Sequence, residues 1–207
     1  MNTTVSTRQM APFAAFLGLS MFLSVAEGEP KAPCCPTCVK KVVSEVEAPK
    51  DTKSEAVKKT APKAVTDLFG SELKDAKGKI VSVDALADKV IGVYFSAHWC
   101  PPCRAFTPKL VAFHKEMTKA GKPFEIVFVS SDRSSKDMYG YMTGMKMPWL
   151  ALPYGDKRKG ALSGKFKVRG IPKLVILSPT GALISENGRG EVMRGAAVFD
   201  EWQAAKK

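Results

Sequence analysis

Residues 94–104 read Tyr-Phe-Ser-Ala-His-Trp-Cys-Pro-Pro-Cys-Arg and place Cys100 and Cys103 three positions apart. The apolar run before the pair predicts a strand over residues 89–95, and the pattern after it predicts a helix from residue 100 to about residue 120. Cysteines at i and i+3 lie on one side of the first helical turn, close enough for a disulfide. Unpaired N–H groups at a helix N-terminus favour a thiolate at the first cysteine. The stretch therefore predicts thiol–disulfide exchange, in which Cys100 attacks as the exposed thiol and Cys103 resolves the mixed disulfide.

The alternative interpretation of this cysteine pair is half of a zinc site. Zinc needs two further ligands at suitable spacing, but beyond Cys103 the chain has no cysteine and one histidine, His114. A redox pair requires a strand followed by a helix, which is the pattern found here. The sequence therefore favours redox chemistry that needs no metal, flavin or nucleotide cofactor in the domain.

The remaining apolar and turn patterns predict the order of the elements. Residues 147–154 read as a turn-rich apolar loop. An order of strand, helix, strand, helix and hairpin predicts an α/β fold with a central mixed β-sheet and helices on both faces. Further strands are predicted over residues 71–74, 79–83, 124–130, 173–177 and 182–185, and further helices over residues 84–88, 132–145, 156–166 and 198–205.

The residues around the cysteine pair resemble the thioredoxin superfamily. The resemblance is carried by Trp-Cys-Pro-Pro-Cys-Arg at residues 99–104, which follows Val-Tyr-Phe-Ser-Ala at residues 93–97. Met-Pro-Trp-Leu-Ala-Leu-Pro at residues 147–153 is similar to the tryparedoxin and nucleoredoxin branch. The resemblance covers residue 68 to the C-terminus and implies the thioredoxin fold. It also implies a disulfide reductase that acts on proteins or on a peroxidase partner, with electrons from a low-molecular-weight thiol or a reductase.

The resemblance also implies a partner-binding groove beside the cysteine pair. In this superfamily a cis proline faces the first cysteine, which gives that role to Pro172, and the backbone of Ile171 then contacts a bound substrate. Trp99, Pro101 and Pro102 complete the predicted groove. The alternatives are an ordinary proline at the start of a strand and a tryptophan that only packs.

Two side chains are candidates for proton transfer. Tyr94 stands where many thioredoxins carry a buried acid, and the tryparedoxin branch is similar to this chain in having a tyrosine there. Asp132 is the second candidate, and water is the alternative to both. Tryparedoxins tend to have a tryptophan before this acid, where this chain has Ser131, so their substrate preference is not implied. His98 is predicted to be an exposed spacer, or else to tune the ionisation of Cys100.

The chain is basic, with a net charge of +12 over 207 residues. A basic rim of Lys165, Lys167 and Arg169 precedes residues 171–172 and predicts acidic partners, with a solvated helix face as the alternative. Nucleic-acid binding is disfavoured because no stacking aromatics interleave these charges. The rim belongs to a basic run with no acid among its members, namely Lys157, Arg158, Lys159, Lys165, Lys167, Arg169 and Lys173.

The N-terminal third differs in composition from the rest. Residues 1–26 hold one charged residue and an apolar run that ends in Ser-Val-Ala, which predicts a signal peptide and a secretory, extracellular or periplasmic location. A cytosolic location is the alternative, and membrane attachment is expected only if the signal is not cleaved. Residues 27–66 are rich in Lys, Glu, Ala, Pro and Thr, which predicts a disordered linker before a thioredoxin-like domain at residues 67–207.

The linker contains a second group of cysteines, Cys34, Cys35 and Cys38. Their alternatives are a tethered dithiol, a soft-metal site, and exposed thiols without a role. For the whole chain, the alternative to an enzyme is a non-catalytic module that senses redox state or binds partners.

Overall fold

A computed structural model describes residues 59–205. The predicted signal peptide, most of the predicted linker, and Cys34, Cys35 and Cys38 lie outside these residues. The strands are β1 (Glu72–Lys74), β2 (Ile80–Ser82), β3 (Val90–Ser96), β4 (Phe124–Ser130), β5 (Leu150–Ala151), β6 (Lys173–Leu177) and β7 (Leu183–Ser185). The helices are α1 (Lys63–Phe69), α2 (Pro101–Lys119), α3 (Ser135–Gly144), α4 (Arg158–Lys165), α5 (Gly188–Val192) and α6 (Val198–Ala204), with a 3-10 turn at Val83–Leu86.

The strands form one mixed sheet in the order β2-β1-β5-β4-β3-β6-β7. Strands β3, β4 and β5 are parallel, and the remaining pairs are antiparallel. All seven residues of β3 are buried, as its continuous apolar run predicts for a strand covered on both faces. The mixed sheet confirms the predicted α/β architecture and places the end of β3, where the cysteine motif begins, between β4 and β6.

Helices cover both faces of the sheet, and successive residues of β3 enter two different cores. Tyr94 packs with residues of α2, α3 and α6, such as Phe106. Phe95 packs on the other face with residues of α1 and α4, such as Phe69. This alternation follows from the twofold period of side chains along a strand.

Helix α1 corrects the predicted linker, because it begins at Lys63, inside residues 27–66. Val65 and Phe69 lie four positions apart on one side of this helix, and both are buried. Such a short helix is stabilised by packing, and its composition does not reveal it. The folded part therefore begins before residue 67.

The segment predicted as a loop at residues 147–154 contains strand β5. This two-residue strand pairs with β4 on one side and β1 on the other, so it joins the N-terminal hairpin to the rest of the sheet. Helix α5 was also not predicted. Helix α3 begins later than predicted because Ser134 caps it, accepting a hydrogen bond from the Asp137 N–H.

Helix α2 follows its prediction closely. It ends at Lys119, shortly before Gly121, whose φ of 65° favours glycine. Pro108 lies inside the helix, as the sequence requires. None of the described helices is long and apolar enough to cross a membrane.

Candidate active site

The loop after β3 delivers Cys100 to the N-cap position of α2. Cys100 and Cys103 form a disulfide, with their Cα atoms 5.2 Å apart. The Cys103 N–H points at the Cys100 sulfur over 3.4 Å. Pro101 and Pro102 have no N–H, so Cys103 supplies the first backbone donor that the helix offers to this sulfur.

The two cysteines differ little in burial. Cys100 is 4% exposed and Cys103 is fully buried. The prediction of an exposed Cys100 is therefore wrong, because Ala97 and Ile171 pack around the pair. Cys100 is still the more exposed of the two cysteines.

The loop before β6 closes the other side of the pair. The peptide bond between Ile171 and Pro172 is cis, as the resemblance implied. The Ile171 carbonyl oxygen lies 3.7 Å from the Cys100 sulfur. Pro172 is buried and Ile171 is half-buried. The structure thus brings both residues of this loop to the disulfide.

Trp99, Pro101 and Pro102 form the exposed border of the disulfide. Trp99 is 52% exposed, and its indole N–H donates to the Ser131 carbonyl over 3.0 Å. Two grooves border the motif, one of about 190 Å³ and one of about 220 Å³. The first is lined by His98, Trp99, Asp132, Arg133 and Asp137, and the second by Pro102, Ala105, Phe106, Lys109, Arg189 and Met193.

Asp132, a predicted proton-transfer residue, is buried beside the motif. Its carboxylate accepts the His98 N–H at 2.7 Å and the Ser130 hydroxyl at 2.8 Å. Neither of these hydrogen bonds reaches a cysteine sulfur. The structure therefore brings Asp132 to the segment before Cys100 rather than to the pair itself.

Tyr94, the other predicted proton-transfer residue, is fully buried under α2. Its hydroxyl lies 2.9 Å from the Thr107 hydroxyl. Burial raises the pKa of Tyr94 well above the usual value for a phenol. The side chain therefore stays neutral at physiological pH, where it is a poor acceptor for a proton from Cys103.

Sequence reasoning missed a buried hydroxyl network behind Cys103. Thr107 donates to the Cys103 carbonyl at 2.9 Å, which uses its single hydroxyl proton. Tyr94 and Tyr141, whose hydroxyl lies 2.6 Å from that of Thr107, must then both donate to Thr107. Ser96 in turn donates to Tyr141 at 3.1 Å. The only available signal was the i, i+4 spacing of Cys103 and Thr107, because Tyr141 comes from a distant helix.

The basic rim lies at the end of α4 and in the loop that leads to residues 171–172. Lys165, Lys167 and Arg169 are exposed, and no ion pair within residues 59–205 involves them. By contrast, Arg158 pairs with Asp156 at 2.7 Å, and Lys173 lies 3.5 Å from Glu186. Their charges are thus partly neutralised, and the three rim cations remain available to a partner.

Within residues 59–205, no group of three or more His, Cys, Asp or Glu side chains is arranged to hold a metal ion.

The part of the chain that carries Cys100, Cys103 and the Ile171–Pro172 loop is also the part that resembles known proteins. Residues 88–183 match the family model described as thioredoxin-like. The crystal structure of thioredoxin from Wuchereria bancrofti has a TM-score of 0.57 and 42% identity, over 67% of this chain and 97% of that chain. The chain belongs to the thioredoxin-like family.

Other relatives of this thioredoxin-like chain show its branch. Tryparedoxin II from C. fasciculata has a TM-score of 0.58 and 37% identity, over 63% of this chain and 91% of that chain. The nucleoredoxin of Bos taurus is 41% identical over 133 residues, which are 64% of this chain and 30% of that protein. The chain thus belongs to the tryparedoxin and nucleoredoxin branch, although it spans less than a third of the length of that nucleoredoxin.

Proposed function

We propose that this thioredoxin-like chain is a thiol–disulfide oxidoreductase that reduces disulfides of partner proteins through Cys100 and Cys103. The observation that carries the proposal is the disulfide at the N-terminus of α2, with the Cys103 N–H directed at the Cys100 sulfur. In the reduced state the same N–H and the helix dipole stabilise a Cys100 thiolate, which is the reactive form of a cysteine.

The reaction has two exchange steps. The Cys100 thiolate attacks one sulfur of the partner's disulfide, that S–S bond breaks, and the other partner sulfur leaves as a thiolate. Cys103 then attacks the Cys100 sulfur, the internal disulfide forms, and the first partner sulfur leaves with the proton that Cys103 gives up. The partner gains two electrons from the chain. Two equivalents of an external thiol then give two electrons to the Cys100–Cys103 disulfide, which is reduced, and the two thiols are oxidised to a disulfide.

The surroundings of the disulfide support two kinds of partner, a protein substrate and a low-molecular-weight thiol. The Ile171 carbonyl beside Cys100 accepts a backbone N–H from an extended substrate, and the exposed indole of Trp99 offers a flat apolar contact. Another structure of tryparedoxin II, 35% identical to this chain, was solved in complex with glutathionylspermidine. That complex supports a low-molecular-weight thiol as the electron donor of this chain.

The basic rim supports acidic partners. Lys165, Lys167 and Arg169 are exposed near the Ile171 loop and carry three positive charges. Charges of this kind mainly accelerate association with a partner of opposite sign. The proposal is therefore that acidic proteins or an anionic thiol such as glutathione are preferred over cationic thiols.

Trapping of partners tests the exchange mechanism. In full-length Cys103→Ser the mixed disulfide on Cys100 cannot be resolved, so partners are expected to remain attached and to be released by a reductant. Cys100→Ser is the matched control, because it keeps Cys103 and the three N-terminal cysteines. If both variants retain the same partners, or if the unaltered chain does not reduce a protein disulfide, the chain is a binding module rather than an enzyme.

A further inference from the structure

The segment at residues 130–132, directly after β4, is bonded to the residues that precede Cys100. The Ser131 N–H donates to the Ser96 carbonyl at 2.8 Å. The His98 N–H donates to the Asp132 carboxylate at 2.7 Å. The Trp99 indole N–H donates to the Ser131 carbonyl at 3.0 Å. Three hydrogen bonds thus connect this segment to a stretch of four residues that ends beside the reactive cysteine.

Both oxygens of the Asp132 carboxylate are already occupied by donors. One accepts the backbone N–H of His98, and the other accepts the hydroxyl of Ser130. Ser130 is itself held, because its hydroxyl oxygen accepts the Asp132 N–H at 2.9 Å. Asp132 is 7% exposed, so water does not readily replace these donors. Such an arrangement suits a carboxylate that holds a backbone in place.

We propose that Asp132 is a positioning residue that sets the place of Trp99 and Cys100 and does not accept the proton of Cys103. This inference replaces the proton-transfer role expected from the sequence, and it rests on the proposed function. Its acceptor atoms fix the backbone at His98, two residues before Cys100. The N-cap sulfur and the indole are then held in the orientation that the Cys103 N–H and the Ser131 carbonyl require.

The consequence for partners lies in the groove of about 190 Å³ beside the motif. Trp99 and Asp132 both line this groove, together with Arg133. If His98 is released, the indole that forms one wall of the groove loses its fixed place. The first effect expected is weaker partner binding, and a slower chemical step is secondary.

Two substitutions separate positioning from proton transfer. The amide of Asp132→Asn accepts the His98 N–H and donates to Ser130, but it cannot take up and release a proton at neutral pH. Asp132→Ala removes both contacts. We expect Asp132→Asn to reduce a disulfide-bonded protein with KM and kcat within about threefold of the unaltered chain and with the same pH profile. We expect Asp132→Ala to raise KM about tenfold.

A spectroscopic measurement reports Trp99 directly. Trp149 and Trp202 are buried, so acrylamide quenches mainly the fluorescence of Trp99. Asp132→Ala is expected to increase this quenching, whereas Asp132→Asn is expected to leave it unchanged. Asp67→Ala, which removes an exposed acid from α1, is the control for loss of charge.

The outcomes are distinguishable. Equal loss of kcat in Asp132→Asn and Asp132→Ala, with one limb of the pH profile missing, would overturn positioning in favour of proton transfer. An unchanged KM and unchanged quenching in Asp132→Ala would overturn it as well. If Asp132→Ala does not fold, the Asn variant alone still decides between the two roles. Failure of the unaltered chain to reduce any disulfide would instead remove the proposed function.

Discussion

At the scale of single residues, the chemistry depends on which backbone donors face the Cys100 sulfur. An N-cap side chain accepts from the N–H groups two or three positions into the helix. In this chain the second position is Pro102, which has no N–H, and the third is Cys103, whose N–H lies 3.4 Å from the sulfur. The proline therefore limits how strongly the helix stabilises a thiolate.

Replacement of Pro102 tests this point. Pro102→Ala restores the second N–H, so the reduced chain should hold more Cys100 as thiolate at pH 7. We expect alkylation of Cys100 by iodoacetamide to become about threefold faster, measured by mass spectrometry of the Cys100 peptide. Pro101→Ala restores an N–H at the first position, which does not face the N-cap side chain, and it should change the rate little. Equal acceleration by both substitutions would contradict this account.

At the scale of elements, helix α2 is joined to its neighbours by hydroxyl groups as well as by apolar packing. Thr107 is the centre of the network, because Tyr94 from β3 and Tyr141 from α3 both donate to it. All three side chains are buried. The turn of α2 that carries Cys103 is therefore held from two directions, which keeps the Cys103 sulfur beside Cys100.

Thr107→Val keeps the shape of the side chain and removes the acceptor. The buried Tyr94 hydroxyl then loses its acceptor and Tyr141 keeps only Ser96, which should lower the free energy of unfolding by about 2 kcal/mol. Thr118→Val is the matched control on the same helix, since Thr118 also donates to the carbonyl four residues earlier, but from an exposed position. Urea unfolding of the oxidised chain should show that the control lowers the free energy of unfolding by less than about 0.5 kcal/mol. Similar losses at both positions would refute the special role of the network.

At the scale of the whole molecule, positive charge is in excess, and part of it lies beside the site. The chain carries +12, and the rim cations have no acidic partner among residues 59–205. Attraction between exposed charges is largely screened beyond a Debye length, about 10 Å at 0.1 M salt, so it reaches further at low salt, where it raises the rate of encounter. The rim should therefore influence association more than the chemical step.

Reversal of the rim tests this expectation. In the triple variant with glutamate at Lys165, Lys167 and Arg169, we expect the reduction of an acidic disulfide-bonded protein to slow about tenfold at low salt. The difference should vanish near 0.5 M salt while kcat stays the same. The control places glutamate at three exposed lysines away from the disulfide, namely Lys77, Lys79 and Lys119. A rim variant that matches this control at every salt concentration would exclude steering.

The sequence by itself determined the parts of this protein that depend on neighbouring residues. Strands β4 and β6 have the predicted bounds, and α2 begins one residue after the predicted start, with Cys100 as its N-cap, because apolar periodicity and N-terminal capping are local. The proximity of the two cysteines follows from the geometry of one helical turn. The apolar and turn patterns also predicted the mixed sheet. The resemblance to the thioredoxin superfamily predicted the role of the loop at residues 171–172.

Only the tertiary structure decided the features that join distant segments. Helix α1 and strand β5 are too short to be stable alone, and they form because the rest of the fold covers or pairs with them. Likewise, Asp132 accepts the N–H of His98 from 34 residues away, and Tyr94 donates to Thr107 in the helix after its own strand, so these two bonds could not be read from spacing. Both side chains are held by donors or acceptors other than the sulfurs, because burial requires each polar group to find a partner in its own surroundings.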